Sequence, residues 1–142
     1  MQSETVSFSK SKQPSSGPLP LRILLVEDSA PLRWRLAELL NEPGVMQVTA
    51  TAESESEAIA LINEHSFDVL VVDVELRPGS GIQVVRHARK RWPTEPTPLI
   101  IVLTNYSLPV VKDRCLAAGA DHFLDKIRQF NSLAPLILAL NR

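Results

Sequence analysis

Residues Phe67 to Gly81 read FDVLVVDVELRPGSG, and the rest of the chain is organised around this stretch. Val69 to Val72 is an unbroken run of β-branched and leucine side chains. Such a run predicts a strand buried on both faces, as in a parallel sheet, rather than a surface strand with one wet face. It ends on a carboxylate, Asp73, and then meets Arg77, Pro78, Gly79, Ser80 and Gly81, a breaker cluster that predicts a loop. Open parallel sheets hold their ligands outside the carboxyl ends of their strands. Asp73 is therefore an acid at the rim where such folds do chemistry. An aspartate at a strand-to-loop turn is common, so the case rests on what stands at the other strand ends.

Working outward, Leu21 to Val26 (LRILLV) predicts a first apolar strand that ends on Glu27 and Asp28. Ser29 suits an N-cap and Pro31 a first helical turn, where its missing N–H costs little. Leu32, Leu36, Leu39 and Leu40 then form an apolar stripe at helical spacing, with Trp34 off the stripe, either half exposed or covering a neighbouring loop. Val45 to Ala50 predicts a more alternating second strand. Thr51 to His65 predicts a helix with Ala58, Ile59 and Ile62 inward and an acidic start (Glu53, Glu55, Glu57) suited to the helix dipole. Beyond Gly81, Ile82 to Trp92 predicts a third helix, with Ile82, Val85 and Ala88 or Arg89 along one side and Arg86, Arg89, Lys90 and Arg91 mostly in solvent. A Pro-rich loop (Pro93 to Pro98) leads to a fourth strand, Leu99 to Leu103, which ends on Thr104. Leu108 to Ala118 predicts a helix closed by Gly119. A short fifth strand, His122 to Leu124, ends at Asp125 and Lys126, and Arg128 to Leu140 predicts a last helix that Pro135 bends or restarts.

Five strands alternating with five helices specify an α/β fold: a five-stranded parallel sheet with helices on both faces. Right-handed crossovers leave few topologies, and the doubly wound order 2-1-3-4-5 is the common one. Residues 21–142 are expected to form one domain, and residues 1–20, rich in Ser, Lys, Gln and Pro, a disordered tail. A net charge of -1 argues against a nucleic-acid surface. One cysteine, Cys115, excludes an internal disulfide and suits reducing, cytoplasmic surroundings. No apolar run approaches the roughly 20 residues of a spanning helix, so no membrane role is expected.

In this topology the first, third, fourth and fifth strands are neighbours, so Glu27, Asp28, Asp73, Thr104 and Lys126 share one rim. Three carboxylates gathered without compensation repel, and at least one pKa must rise. The ammonium of Lys126 relieves that repulsion, as does a hard divalent cation with oxygen ligands such as Mg²⁺. Acids, a metal, a hydroxyl and an ammonium around one point suit a phosphoryl-like group.

The motifs LLVEDS, VVDVEL…GSG, VLTN and AGADHFLDK, in this order, resemble the receiver domain of two-component response regulators, the CheY-like family. The resemblance covers Leu21 to about Leu140 and belongs to a subgroup whose Asp-Lys is not followed by Pro. It implies that Asp73 is the phosphoacceptor, taking a phosphoryl group from a histidine kinase or histidine phosphotransfer protein. It further implies that Asp28 ligates Mg²⁺ directly, that Glu27 acts through water, and that the carbonyl of Glu75 completes the protein ligands. Thr104 and Lys126 would bind phosphoryl oxygens. Phe123 falls where the family carries a switch aromatic that rotates as Thr104 moves; the alternative is a core phenylalanine beside Gly119 and Ala120. The face around Val111, His122, Phe123 and Gln129 would then meet an unnamed downstream protein.

Three departures from the pattern matter. Arg77 stands where the family usually has proline, which here is Pro78. Asn105 and Tyr106 replace a very small residue and its neighbour, so Glu75, Asn105 and Tyr106 are expected to control access to the phosphoryl group, with Tyr106 slowing its hydrolysis. Ile127 follows the lysine, so a trans bond is expected there. The resulting expectation is a stand-alone phosphoacceptor module, not an enzyme beyond its own phosphorylation and dephosphorylation. A phosphorylation-independent scaffold is the alternative. A phosphatase-type hydrolase is disfavoured, because Glu75 stands where such enzymes place a second aspartate.

Overall fold

A computed structural model describes residues 20–105 and 107–140. The five strands are β1 (Leu21–Val26), β2 (Met46–Ala52), β3 (Val69–Asp73), β4 (Leu99–Thr104) and β5 (His122–Asp125). All neighbouring pairs are parallel, in the order β2-β1-β3-β4-β5. The helices are α1 (Ala30–Leu39), α2 (Glu55–Glu64), α3 (Gly81–Arg91), α4 (Pro109–Ala118) and α5 (Leu133–Leu138).

The apolar runs of the central strands are divided by the twofold side-chain alternation of a strand. Leu24, Val26, Leu70, Val72, Ile100 and Val102 point to one face, where Ala58, Ile62, Val84, Val85, Ala88, Cys115 and Ala118 of α2, α3 and α4 cover them. Ile23, Leu25, Val69, Val71, Ile101 and Leu103 point to the other, under Leu36 and Leu40 at the end of α1 and Leu133 and Ile137 of α5. Each fully buried Leu, Ile or Val contributes roughly 1.5–3 kcal/mol, so the two cores fix the sheet and hence the rim.

Several boundaries differ from those read in the sequence. The second strand runs on to Ala52, because Val26 still pairs there, and α2 starts only after its N-cap Ser54, whose side chain accepts from Glu57 N. The last helix is much shorter than Arg128 to Leu140. A 3-10 turn (Phe130–Ser132) precedes α5, and Pro135 lies in the first turn of that helix, where its missing N–H costs little. Trp34 is 71% exposed, which settles its two readings in favour of solvent.

On the basic helix α3 the structure decides between the two readings of Arg89 in favour of the inward one: Nε donates to Gly119 O at 2.8 Å, Nη1 to Pro98 O at 3.1 Å, and Nη2 pairs with Asp121 at 2.9 Å. Gly119 is the left-handed C-cap of α4 at φ 119°, and a Cβ there would stand 2.5 Å from Arg89 Cγ. The arginine thus occupies space that only a glycine leaves open.

Candidate functional site

The carboxyl ends of β1, β3, β4 and β5 meet as the topology requires. Glu27 follows β1, Asp73 ends β3, Thr104 ends β4, and Lys126 follows β5, its N–H donating to Thr104 O at 2.9 Å. Glu27, Asp73 and Thr104 are buried, at 1%, 3% and 1% exposure. Lys126 Nζ lies 2.9 Å from Glu27 Oε1 and 3.0 Å from Asp73 Oδ2, so one ammonium faces two buried carboxylates.

Burial dominates the titration of this group. It holds the Glu27 carboxyl above its usual range despite Lys126 and the Ser29 N–H, and repulsion from Asp73 adds to the effect. It likewise raises Asp73, against the opposing pull of Lys126 and the Glu75 N–H, with Asp28 adding repulsion. For Lys126, burial favours the neutral amine, but Glu27 and Asp73 together outweigh it and keep the ammonium above its usual range.

The same group offers oxygen ligands to a cation. One carboxylate oxygen from each of Glu27, Asp28 and Asp73 lies within 4.8 Å of the others. Glu27 Oε1 is buried and faces the Lys126 ammonium at 2.9 Å in an ion pair. One ammonium against three carboxylates leaves a surplus of negative charge, and that surplus with the all-oxygen donor set fits a hard cation of the Mg²⁺ type.

The loop after Asp73 is tied down at several points. Glu75 N donates to Asp73 Oδ1 at 3.2 Å, and Gly81 N to Val74 O at 2.8 Å. A Cβ on Gly81 would fall 2.0 Å from Asp73 O, so the start of α3 packs on the backbone of the acid itself. Glu55 of α2 accepts from Ser80 N at 3.0 Å, while Glu55 N donates to Pro78 O at 3.3 Å. The sequence showed Glu55 only as a residue favourable to a helix start. Its role as the loop's anchor depends on tertiary placement.

Above the acids lies a cleft of about 280 Å³ whose lining includes Asp28, Glu75, Arg77, Asn105 and Lys126. Glu75 and Asn105 both line this cleft, whereas Tyr106 lies outside the described residues. Arg77 adds a cation at the mouth that the sequence presented only as a displaced proline. Phe123 is half-buried and packs, with Val111, against the core on the α2–α4 side. The cis peptide bonds among the described residues precede Pro78 and Pro96, so the bond before Ile127 is trans, as read.

This arrangement of strand ends coincides with a family model, the response regulator receiver domain, matched over residues 23–137. The chain belongs to this family. It is 33% identical over 121 residues to the phosphate regulon transcriptional regulatory protein PhoB of Escherichia coli, an alignment covering 85% of this chain and 52% of that protein. It is 34% identical over 126 residues to the transcriptional regulatory protein PdtaR of Mycobacterium tuberculosis, covering 87% and 58%. The receiver thus spans about half the length of the curated relatives it matches. Among solved structures, the response regulator domain of Thermotoga maritima CheB superposes with a TM-score of 0.71 at 26% identity, covering 84% of this chain and 91% of that one. The receiver domain of the putative response regulator NarL from Mycobacterium tuberculosis gives 0.75 at 22% identity, covering 85% and 95%, a likeness of fold. Receiver domains are phosphoacceptor signalling modules of two-component systems, and no helix among the described residues is long and apolar enough to cross a membrane.

Proposed function

We propose that this receiver accepts a phosphoryl group on Asp73 from the phosphohistidine of a kinase or histidine phosphotransfer protein. The observation that carries the reading is the pairing of buried Asp73 with Lys126 Nζ at 3.0 Å beside two further carboxylates. Mg²⁺ would be held by Asp28, Asp73 and the carbonyl of Glu75, with Glu27 acting through water. When bound, it neutralises phosphoryl oxygens and lowers the charge repulsion that the acids present to an anionic donor. The protein residues do the rest. An Asp73 carboxylate oxygen forms the O–P bond as the P–N bond breaks, and the electron pair stays with the ring nitrogen, which a solvent proton neutralises. Lys126 compensates the charge on the phosphoryl oxygens, and Thr104 donates its hydroxyl to one of them.

Thr104 and Phe123 would relay the change. Val102 pairs with Phe123 and Thr104 with Asp125 across β4 and β5, so movement of the threonine is felt in the strand that carries the ring. The face formed by Val111, His122, Phe123 and Gln129 would meet a downstream protein, and residues 21–142 would form the receiver domain. Incubation with acetyl phosphate and Mg²⁺, followed by intact mass measurement, tests the proposal. Wild type is expected to gain one phosphoryl group and Asp73→Asn none. A wild type that gains nothing supports instead a scaffold that binds its partners without phosphorylation.

A further inference from the structure

The backbone that carries Lys126 into the site is shaped by its neighbour. The Lys126 N–H to Thr104 O bond ends the β4–β5 ladder, and Ile127 beyond it is 81% exposed, so packing does not hold the chain there. The Asp125 side chain holds it instead. Its Oδ1 accepts from Ile127 N at 2.8 Å and from Arg128 N at 2.8 Å, an Asx-type turn that brackets the lysine. Gln129 completes the turn from the far side, its Oε1 accepting from Asp125 N at 3.0 Å and its N–H donating to Asp125 O at 2.9 Å. The second carboxylate oxygen, Oδ2, accepts the hydroxyl of Ser107, three residues beyond Thr104. With only 12% of its side chain exposed, Asp125 spends its carboxylate on these local contacts; the Arg128 guanidinium, 80% exposed, stands off at 3.9 Å. The Ser107 hydroxyl and the N–H groups of Arg128 and Ile127 hold the carboxyl below its usual range, which fits an acceptor engaged on both oxygens.

We propose that Asp125 is a positioning residue of the phosphoryl site. It fixes the backbone on both sides of Lys126 and ties that turn, through Ser107, to the loop leaving Thr104. One carboxylate thereby sets the ammonium and the threonine hydroxyl relative to each other. The proposal rests on the phosphoacceptor reading. Its physical basis is geometric: a charged group about 1 Å out of place can cost two orders of magnitude in rate.

The test uses the full chain and two readouts. The first is the ¹⁵N NMR signal of the Lys126 ammonium without metal; the second is the rate of phosphoryl uptake from acetyl phosphate with Mg²⁺. Asp125→Ala is expected to shift and broaden the Lys126 signal and to slow uptake about tenfold. Asp125→Asn, whose carbonyl still accepts from Ile127 and Arg128, is expected to be slowed less than the alanine variant. A purely structural role would slow uptake by the same factor whether or not the lysine is present. Placed in Lys126→Ala, Asp125→Ala is instead expected to add less than twofold. A further tenfold loss in that background overturns the inference, as does a Lys126 signal unchanged in Asp125→Ala. If wild type takes up no phosphoryl group, the phosphoacceptor reading fails and the ammonium signal alone decides. Should Asp125→Ala not fold, Ser107→Ala and Asp125→Asn replace it: an altered Lys126 signal in both supports the inference, and an unaltered one refutes it.

Discussion

Replacing Asp73 by asparagine is expected to stabilise the metal-free receiver at neutral pH while abolishing phosphorylation. The magnitude follows from the distances. With an effective dielectric constant of about 20, the attraction lost between Asp73 and Lys126 at 3.0 Å is about 5.5 kcal/mol. The repulsion relieved from each of Glu27 and Asp28, whose ligand oxygens lie no farther than 4.8 Å away, is at least about 3.5 kcal/mol before allowance for the partial exposure of Asp28. The Coulomb effects thus nearly cancel. What remains is desolvation: a carboxylate 3% exposed gives way to an amide, which costs several kcal/mol less to bury. A net gain of about 2 kcal/mol, or several degrees in Tm, is expected. Because burial raises the Asp73 carboxyl, the folded state retains its proton to higher pH than the unfolded chain does, where the usual value is 3.8. Wild-type stability is therefore lost as pH climbs from 3.8 through the raised value, and Glu27 adds a parallel loss above 4.5. The asparagine does not titrate, so its advantage should be small in acid and grow toward neutrality. Mg²⁺ at a hundredfold its Kd would return about 2.7 kcal/mol to wild type and close the gap. Thermal melts of both proteins across pH, with chelator and with Mg²⁺, provide the measurement. An Asp73→Asn variant that melts below wild type in chelator at neutral pH refutes the argument, for it would mean that Lys126 more than compensates the acids.

Gly81→Ala places a methyl group 2.0 Å from Asp73 O, a backbone atom that cannot step aside. A loss of about 1–3 kcal/mol by thermal melting is expected, together with at least tenfold slower phosphoryl uptake. Arg89→Leu removes donors from Gly119 O, Pro98 O and Asp121, and is expected to lose about 2 kcal/mol of stability with uptake changed less than twofold. Asp28→Asn should weaken Mg²⁺ binding at least tenfold by calorimetry, whereas unchanged affinity would remove Asp28 from the ligand set.

The features that were legible in the sequence are those imposed by burial over short windows. VLVVD is buried at every position because both faces of β3 are covered, and that same enclosure leaves Asp73 as an acid at a rim rather than on a surface. The strand order then brings Glu27, Thr104 and Lys126 to it, so the charge cluster could be inferred before any distance was known. Arg89 and Glu55 were illegible for the opposite reason. Arg89 reaches Gly119, 30 residues away, and Glu55 reaches Ser80, 25 residues away, and nothing near them in sequence distinguishes a clamping arginine from a solvated one or a loop anchor from a dipole-favouring glutamate.

Asp125 falls between these cases. An aspartate followed by residues without apolar periodicity is a turn signal, and the hydrogen bonds to Ile127 and Arg128 are local enough to be anticipated from it. In the sequence Asp125 stands at the end of the fifth strand, with a helix expected from Arg128; the structure opens that helix only at Leu133. The Asp125 carboxylate accepts from the N–H groups of Ile127 and Arg128 and holds them in a turn. N–H groups so placed have no acceptor in the first turn of a helix either, so the contacts shape the turn without accounting for the late start of α5. Asp125→Ala, by freeing those N–H groups, is expected to change the backbone amide shifts of residues 127–129 along with the Lys126 ammonium. Amide shifts that move while the ammonium stays fixed would separate the two roles and leave Asp125 as a turn former alone.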